Sequence, residues 1–167
     1  MVRLLHKAAG LEVVKPGGNV GGIDGVLVGW CPDFTFPHLE TACRAVWAGA
    51  PLFATSLAPF FAGSKGRNIA ISGAVAAMIT HTTGVAATLL GKPSTLGVEM
   101  ACNRMRLAPE NIAVVGDDPK LEISMARRAG AYAIGVTTGI ATREMFLALP
   151  DDLKAHEILA SVGDLHG

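Results

Sequence analysis

The 167 residues contain only three cysteines, Cys31, Cys43 and Cys102. They are too few and too scattered for a disulfide framework or a paired metal-ligand motif, and read as reduced, small core residues of a cytoplasmic protein. Excess charge of either sign is also missing. Fourteen basic residues balance 14 acidic ones without a long run of either, so nothing attracts nucleic acid or an anionic membrane, and an anionic ligand needs a local site. Long apolar runs are absent too. Mean hydropathy is +0.42, yet no window approaches the roughly 20 uninterrupted apolar residues of a membrane span. The opening Met1-Val-Arg-Leu-Leu-His-Lys has too short an apolar part for a signal peptide. The histidines His6, His38, His81, His156 and His166 lack a His-x-x-x-His spacing, which argues against a zinc site and leaves them as surface or helix-end residues.

What is present is ample apolar material, 50% of residues, enough for one domain or two small ones. Short β-rich runs at 26–29, 52–55, 88–90, 112–115 and 131–136 alternate with helical patterns at 37–48, 73–81, 96–105, 119–129 and 142–147. Such alternation predicts an α/β fold whose parallel sheet is covered on both faces. Gly49, Gly84 and Gly130 stand where helices turn into the next strand. The segment 58–72 has no clean period and reads as a long loop or excursion. Gly17, Gly18, Gly21 and Gly22 precede a strand instead of joining a strand to a helix, so they read as a connector and not a phosphate-cradling loop. Trp30 and Trp47 are expected to pack within the first domain or at a subunit contact.

The chemistry concentrates at two strand ends. Ile112-Ala-Val-Val-Gly-Asp-Asp is an apolar strand ending in a glycine and two carboxylates, Asp117 and Asp118. In an open parallel sheet, ligands sit off the carboxyl ends of strands. Adjacent carboxylates need a compensating cation or donors, and Mg²⁺ with hard oxygen ligands is the usual solution. Equally, an Asp before Pro119 caps a helix without any metal; the two readings stay open. Thr88-Leu-Leu-Gly-Lys-Pro-Ser is a second strand ending in glycine, which would bring Lys92 to the same edge of the sheet as Asp117. A lysine there can neutralise a carboxylate nucleophile or the phosphoryl group it attacks, and Glu122 could anchor its ammonium group.

In this order and spacing, the two landmarks resemble motifs three and four of the haloacid dehalogenase superfamily. Asp24-Gly-Val-Leu-Val-Gly, Phe34-Thr-Phe, Leu52-Phe-Ala-Thr, Ser72-Gly-Ala, Thr83-Gly, Gly91-Lys-Pro-Ser, Val115-Gly-Asp and Thr138-Gly together resemble subclass IIA. That subclass contains p-nitrophenylphosphatase, phosphoglycolate phosphatase and pyridoxal phosphate phosphatase relatives. The resemblance implies an α/β cap domain over 1–83 and the carboxyl half of a Rossmann-like core over 84–167. It also implies Mg²⁺ held by Asp117 and Asp118, catalytic roles for Lys92 and Glu122, and substrate contacts from Thr55, Ser56 and Lys92. Glu122 stands where the family usually has an aspartate. The family commonly follows Ala-Thr with Asn-Pro-Asp, whereas here Ser56-Leu57-Ala58 follows.

The implied activity is Mg²⁺-dependent hydrolysis of a small phosphorylated metabolite through an aspartyl-phosphate, by a protein that forms a homodimer through the cap and binds neither nucleic acid nor membrane. The family's nucleophile, the first Asp of an Asp-x-Asp-Gly motif, is not found ahead of the cap pattern, and neither is motif two. This chain alone is therefore expected to be inactive. An alternative frame sets Gly22-Ile-Asp24-Gly as motif one and Thr55-Ser56 as motif two, but puts Gly22 where the nucleophile should be. The competing functional reading is a non-catalytic remnant acting as a ligand-binding or oligomerisation module.

Overall fold

Two apolar triplets, β1 (Val26–Val28) and β2 (Leu52–Ala54), pair as parallel strands with Val26 opposite Leu52 and Val28 opposite Ala54. The computed structural model describes residues 10–63 and 66–165. Helix α1 (Phe36–Trp47) joins these strands. Its start is set by extended Thr35, whose N–H donates to His38 Nδ1 at 3.2 Å, and by Pro37, whose missing N–H is harmless in a first turn. Cys43 and Val46 of α1 pack with Val28, Leu52, Ala54 and with Ala76 and Ile79 of α2 (Ile71–Thr83), forming the core of the first unit. Helix α2 stops at Gly84, whose φ of 76° suits glycine. The short β5 (Thr88–Leu89) then adds beside β2, giving the order β1-β2-β5. The chain divides into two compact units between Thr88 and Leu89.

Segment 58–72, expected as an irregular excursion, instead contains an antiparallel hairpin, β3 (Phe60–Gly63) against β4 (Gly66–Ile69), and the start of α2. All four β4 residues are exposed, so neither face writes an alternating apolar signal into the sequence. Arg67 lies 4.3 Å above the Phe60 ring, and Trp30 meets Phe61 edge-on at 5.6 Å. Trp30 and Trp47 are 55% and 61% exposed, so within this unit Trp30 packs through its edge-on contact with Phe61 while Trp47 presents most of its ring to the surface. Of the cysteines only Cys43 is a core residue, its thiol pushed up in pKa by burial. Cys31 lies beyond the end of β1 and is exposed, and Cys102 is half-buried.

The second unit is built on β6 (Ala113–Gly116), β7 (Tyr132–Val136) and β8 (Glu157–Leu159), all parallel, in that order. Helices α3 (Leu96–Met105), α4 (Ser124–Ala129) and α5 (Arg143–Leu147) supply Val98, Ala126 and Phe146 to a core shared with Ile123 and Ala133. Strand β8 was not foreseen, since three residues are too short for a periodic signal. The single helix expected over 119–129 begins instead with a π turn, Pro119–Ile123, before α4. Ser124 Oγ donates to Pro119 O at 2.9 Å, within that wide turn. Among the described residues no helix is long and apolar enough to cross a membrane.

Candidate active site at the carboxyl end of β6

Strand β6 delivers Gly116 and then Asp117 to the carboxyl edge of its sheet. Gly116 is required by packing: a Cβ there would lie 2.3 Å from Glu122 Cβ. The π turn that follows therefore folds Glu122 back over the strand end. Glu122 Oε1 forms an ion pair with Lys92 Nζ. Its other oxygen, Oε2, is buried and has no hydrogen-bond partner. Lys92 is half-exposed, so this pair keeps part of its solvent shell and is worth at most about 1 kcal/mol.

Asp117 is half-buried, and its Oδ2 accepts a hydrogen bond from the Ile140 N–H at 3.2 Å. A Cβ on Gly139 would fall 1.8 Å from that oxygen, so the turn after β7 closes directly on the carboxylate. Residues 139 and 140 were missed as site residues by sequence reasoning. The signal available was Thr138-Gly139, which follows an apolar strand just as Gly116 ends one.

Asp118 is placed at the start of the π turn as a cap. Its Oδ1 accepts from Lys120 N at 2.8 Å and Leu121 N at 3.1 Å, capping the π turn. These two bonds engage Oδ1 alone and serve the helix end, which is the second of the two roles open to Asp118 from the sequence. Lys92 also arrives differently than expected. The strand before it, β5, belongs to the sheet of β1 and β2, and it is the ion pair with Glu122 that ties Lys92 to the end of β6.

Thr55 and Ser56 lie in the first unit, just past β2, where Ser56 Oγ accepts from Ala58 N at 3.2 Å. The alternative frame fails on strand polarity, because Asp24 precedes β1 and so stands at its amino end. The glycine-rich stretch behaves as a connector, with Gly17 N donating to Thr41 Oγ1 at 2.8 Å. Among the described residues no group of three His, Cys, Asp or Glu side chains gathers to hold a metal ion. The oxygen chemistry of Asp117 nevertheless suits Mg²⁺, which keeps several waters and takes only one or two protein carboxylates beside substrate phosphates.

The HAD-hydrolase-like family model matches residues 89–165. Sugar-phosphatase AraL of Bacillus subtilis is 30% identical over 129 residues, covering 77% of this chain and 47% of that protein. The thermostable NPPase of Geobacillus stearothermophilus superposes with a TM-score of 0.83 at 27% identity, covering 99% of this chain and 62% of that one. The glycerol phosphate phosphatase of Mycobacterium tuberculosis, solved in complex with magnesium, gives 0.79 at 25% identity, covering 91% of this chain and 45% of that one. The chain spans about half the length of the curated relatives it matches, 56% and 47% in two cases. With two units built on parallel sheets, an apolar strand ending in Gly116-Asp117 and these likenesses across nearly its whole length, the chain belongs to the haloacid dehalogenase-like phosphatase family, subclass IIA.

Proposed function

We propose that this chain supplies the metal-binding and charge-neutralising part of a Mg²⁺-dependent phosphatase acting on a small phosphate monoester. The observation that carries the reading is the joint placement, at one strand end, of Asp117 and of the Lys92–Glu122 pair. Bound there, Mg²⁺ would neutralise phosphoryl oxygens. Asp117 is the residue that would hold it, with the Ile140 N–H fixing one carboxylate oxygen and leaving the carboxylate plane oriented. Lys92 places a positive charge for the transferring phosphoryl group, and Glu122 holds that ammonium in position. Residues 1–83 act as cap and 84–167 as part of the core, with Thr55 and Ser56 on the cap as substrate contacts. The aspartyl-phosphate route needs a further carboxylate as nucleophile. Neither Asp117 nor Glu122 is free for that task in this reading, so the nucleophile belongs to polypeptide outside this chain. The small-ester substrate class follows the sugar phosphatase and glycerol phosphate phosphatase relatives, and a homodimer through the cap follows the exposed Trp47.

The test has two parts. Amide chemical shifts at Gly116, Asp117 and Ile140 are followed as Mg²⁺ is added, in wild type and Asp117→Ala; the reading expects shifts that the variant loses, and unchanged wild-type shifts overturn the metal assignment. Phosphate release from p-nitrophenyl phosphate is measured beside it for wild type, Lys92→Ala and Asp117→Ala. Indistinguishable background from all three is expected. Wild-type turnover that both substitutions abolish would place the nucleophile inside this chain.

A further inference from the structure

Strand β8 is three residues long, and among the described residues it pairs with β7 alone. So short a strand makes few ladder bonds of its own, and a side chain just ahead of it supplements them. The backbone N–H of His156 donates to Ala133 O at 2.8 Å, while its ring Nδ1 accepts from Ala133 N–H at 2.9 Å, in the place of a backbone carbonyl. The other ring nitrogen, Nε2, meets Nη1 of Arg127 on α4. Arg127 is itself held there, its Nε donating to Asp152 O at 3.0 Å in the 3₁₀ turn Asp151–Leu153. Tyr132 of β7 stacks on the ring with centroids 4.5 Å apart. Among the described residues no carboxylate pairs with the ring: Asp151 is taken by Lys154, and neither Asp152 nor the adjacent Glu157 forms an ion pair.

Both ring nitrogens thus face donors, a backbone N–H on one side and a guanidinium, which can only donate, on the other. A neutral imidazole carries one lone pair and one N–H, so with Nδ1 accepting, its proton already sits on Nε2 against Arg127. A second proton has only Nδ1 to take. It removes the acceptor of Ala133 N–H and sets two positive charges side by side. Burial and the Arg127 charge act in the same direction, lowering the pKa of the ring. The ring lies at an exposed edge, so solvent protons reach it. We propose that His156 is an acid-sensitive latch: when its ring takes up a proton, β8 leaves β7 while the remainder of the second unit stays folded. The core permits this, because it is built around Val98, Ile123, Ala133 and Phe146, with Ala155 and Ile158 only partly buried against it. Opening also breaks the bonds of Thr137 N–H to Leu159 O at 3.1 Å and of Arg143 Nη1 to Ile158 O at 3.2 Å. Thr137 begins the turn that brings Ile140 N–H to Asp117 Oδ2, so acid loosens the grip on Asp117. This last consequence rests on the metal reading above.

The test is amide exchange of the full chain by NMR between about pH 7 and pH 5, corrected for the pH dependence of exchange in unstructured peptides. One proton taken up per opening makes the opening equilibrium rise by at most about tenfold per pH unit below the ordinary 6.5, levelling off once the latched ring is itself protonated. Protection at the Ala133, His156 and Thr137 amides should fall on that course. The Ala131 and Tyr132 amides, bonded to Ala126 O and Ile112 O, should keep theirs. His156→Asn sets an oxygen where Nδ1 stands, keeping the acceptor without a titrating group, and should make protection independent of pH; a purely structural role would lower it at every pH and leave the slope. If that variant does not fold, the wild-type ring titration decides, since its course must coincide with the loss of protection. Constant protection in wild type, an equal loss at Tyr132, or a wild-type slope in folded His156→Asn overturns the latch. The Mg²⁺-induced shift at Ile140 should weaken from pH 7 to pH 5 in wild type and not in His156→Asn; an equal shift at both while β8 opens overturns the link to Asp117. Protection is read without Mg²⁺, so a shift absent at every pH removes the metal reading and leaves the latch standing.

Discussion

Asp117 and Asp118 are neighbours in sequence with unlike surroundings. Asp117 is clasped from the side by Ile140 N and the bare Cα of Gly139, whereas Asp118 turns its Oδ1 onto two backbone donors of the next turn. Asp118→Ala should therefore cost about 1 kcal/mol as the loss of a cap, measured by urea denaturation, and leave any Mg²⁺ response intact. A response lost in that variant would return Asp118 to the metal set. Gly139→Ala introduces an atom within 1.8 Å of Asp117 Oδ2 and must displace the carboxylate or the turn. It should weaken the Mg²⁺ response while costing about 1–3 kcal/mol of stability, the range of overpacking, and an unchanged response would show that the clasp does not orient Asp117. These contrasts could not be read from the run Gly-Asp-Asp, because they depend on which backbone groups arrive from residues 120, 121 and 140.

At the scale of elements, β8 is secured by His156. The His156 N–H donates to Ala133 O at 2.8 Å, Nδ1 accepts from Ala133 N at 2.9 Å, and the ring stacks on Tyr132 at 4.5 Å. Burial, and then the adjacent Arg127 charge, hold its pKa below the ordinary 6.5. Above that value the ring is neutral in folded and unfolded chains alike. As pH falls below it, the unfolded chain takes up the proton first, and stability declines until the lower folded pKa has been passed. The carboxylates of Glu144 and Asp151, also lowered, start from 4.5 and 3.8, so their losses come in more acid solution. The urea midpoint should thus fall between about pH 7 and pH 5, and His156→Gln should flatten that fall; an equal slope in the variant would remove His156 as the cause. The elements themselves were largely legible. Helix α3 runs over the residues its pattern predicts, while the hairpin of β3 and β4 and the strand β8 were not legible, being exposed or only three residues long.

For the whole molecule, the two units keep separate apolar clusters, one around Leu52 and Ile79, the other around Ile123 and Phe146. Ile79 and Phe146 are almost wholly buried, at 1% and 0% exposure. Ile79→Ala should cost about 2–5 kcal/mol and Phe146→Ala about 3–5 kcal/mol, the range of core truncations. With no partner shared by the two clusters among the described residues, Ile79→Ala should speed amide exchange in α1, α2 and β2 while leaving β7 close to wild type, and Phe146→Ala should do the reverse. Exchange that rises equally throughout either variant would mean that the units unfold as one.

Strand and helix alternation, the apolar run ending in Gly116-Asp117, the Gly-Lys-Pro of Lys92 and the family resemblance were all set by the order of residues along the chain, because each is a local pattern of period, polarity and turn chemistry. Tertiary structure alone decided that Glu122 folds over Gly116 to hold Lys92, that Asp118 caps while Asp117 faces the turn at Gly139, and that Arg143 reaches the Ile158 carbonyl of β8. The Asp118 cap spans only two or three residues and was one of two readings open from the sequence, but the pairings of Arg143 with Ile158, Asp117 with Ile140 and Lys92 with Glu122 join residues 15 to 30 positions apart in the chain. No local pattern carries that information, since side chains so far apart meet only when the sheet and its π turn have set their directions.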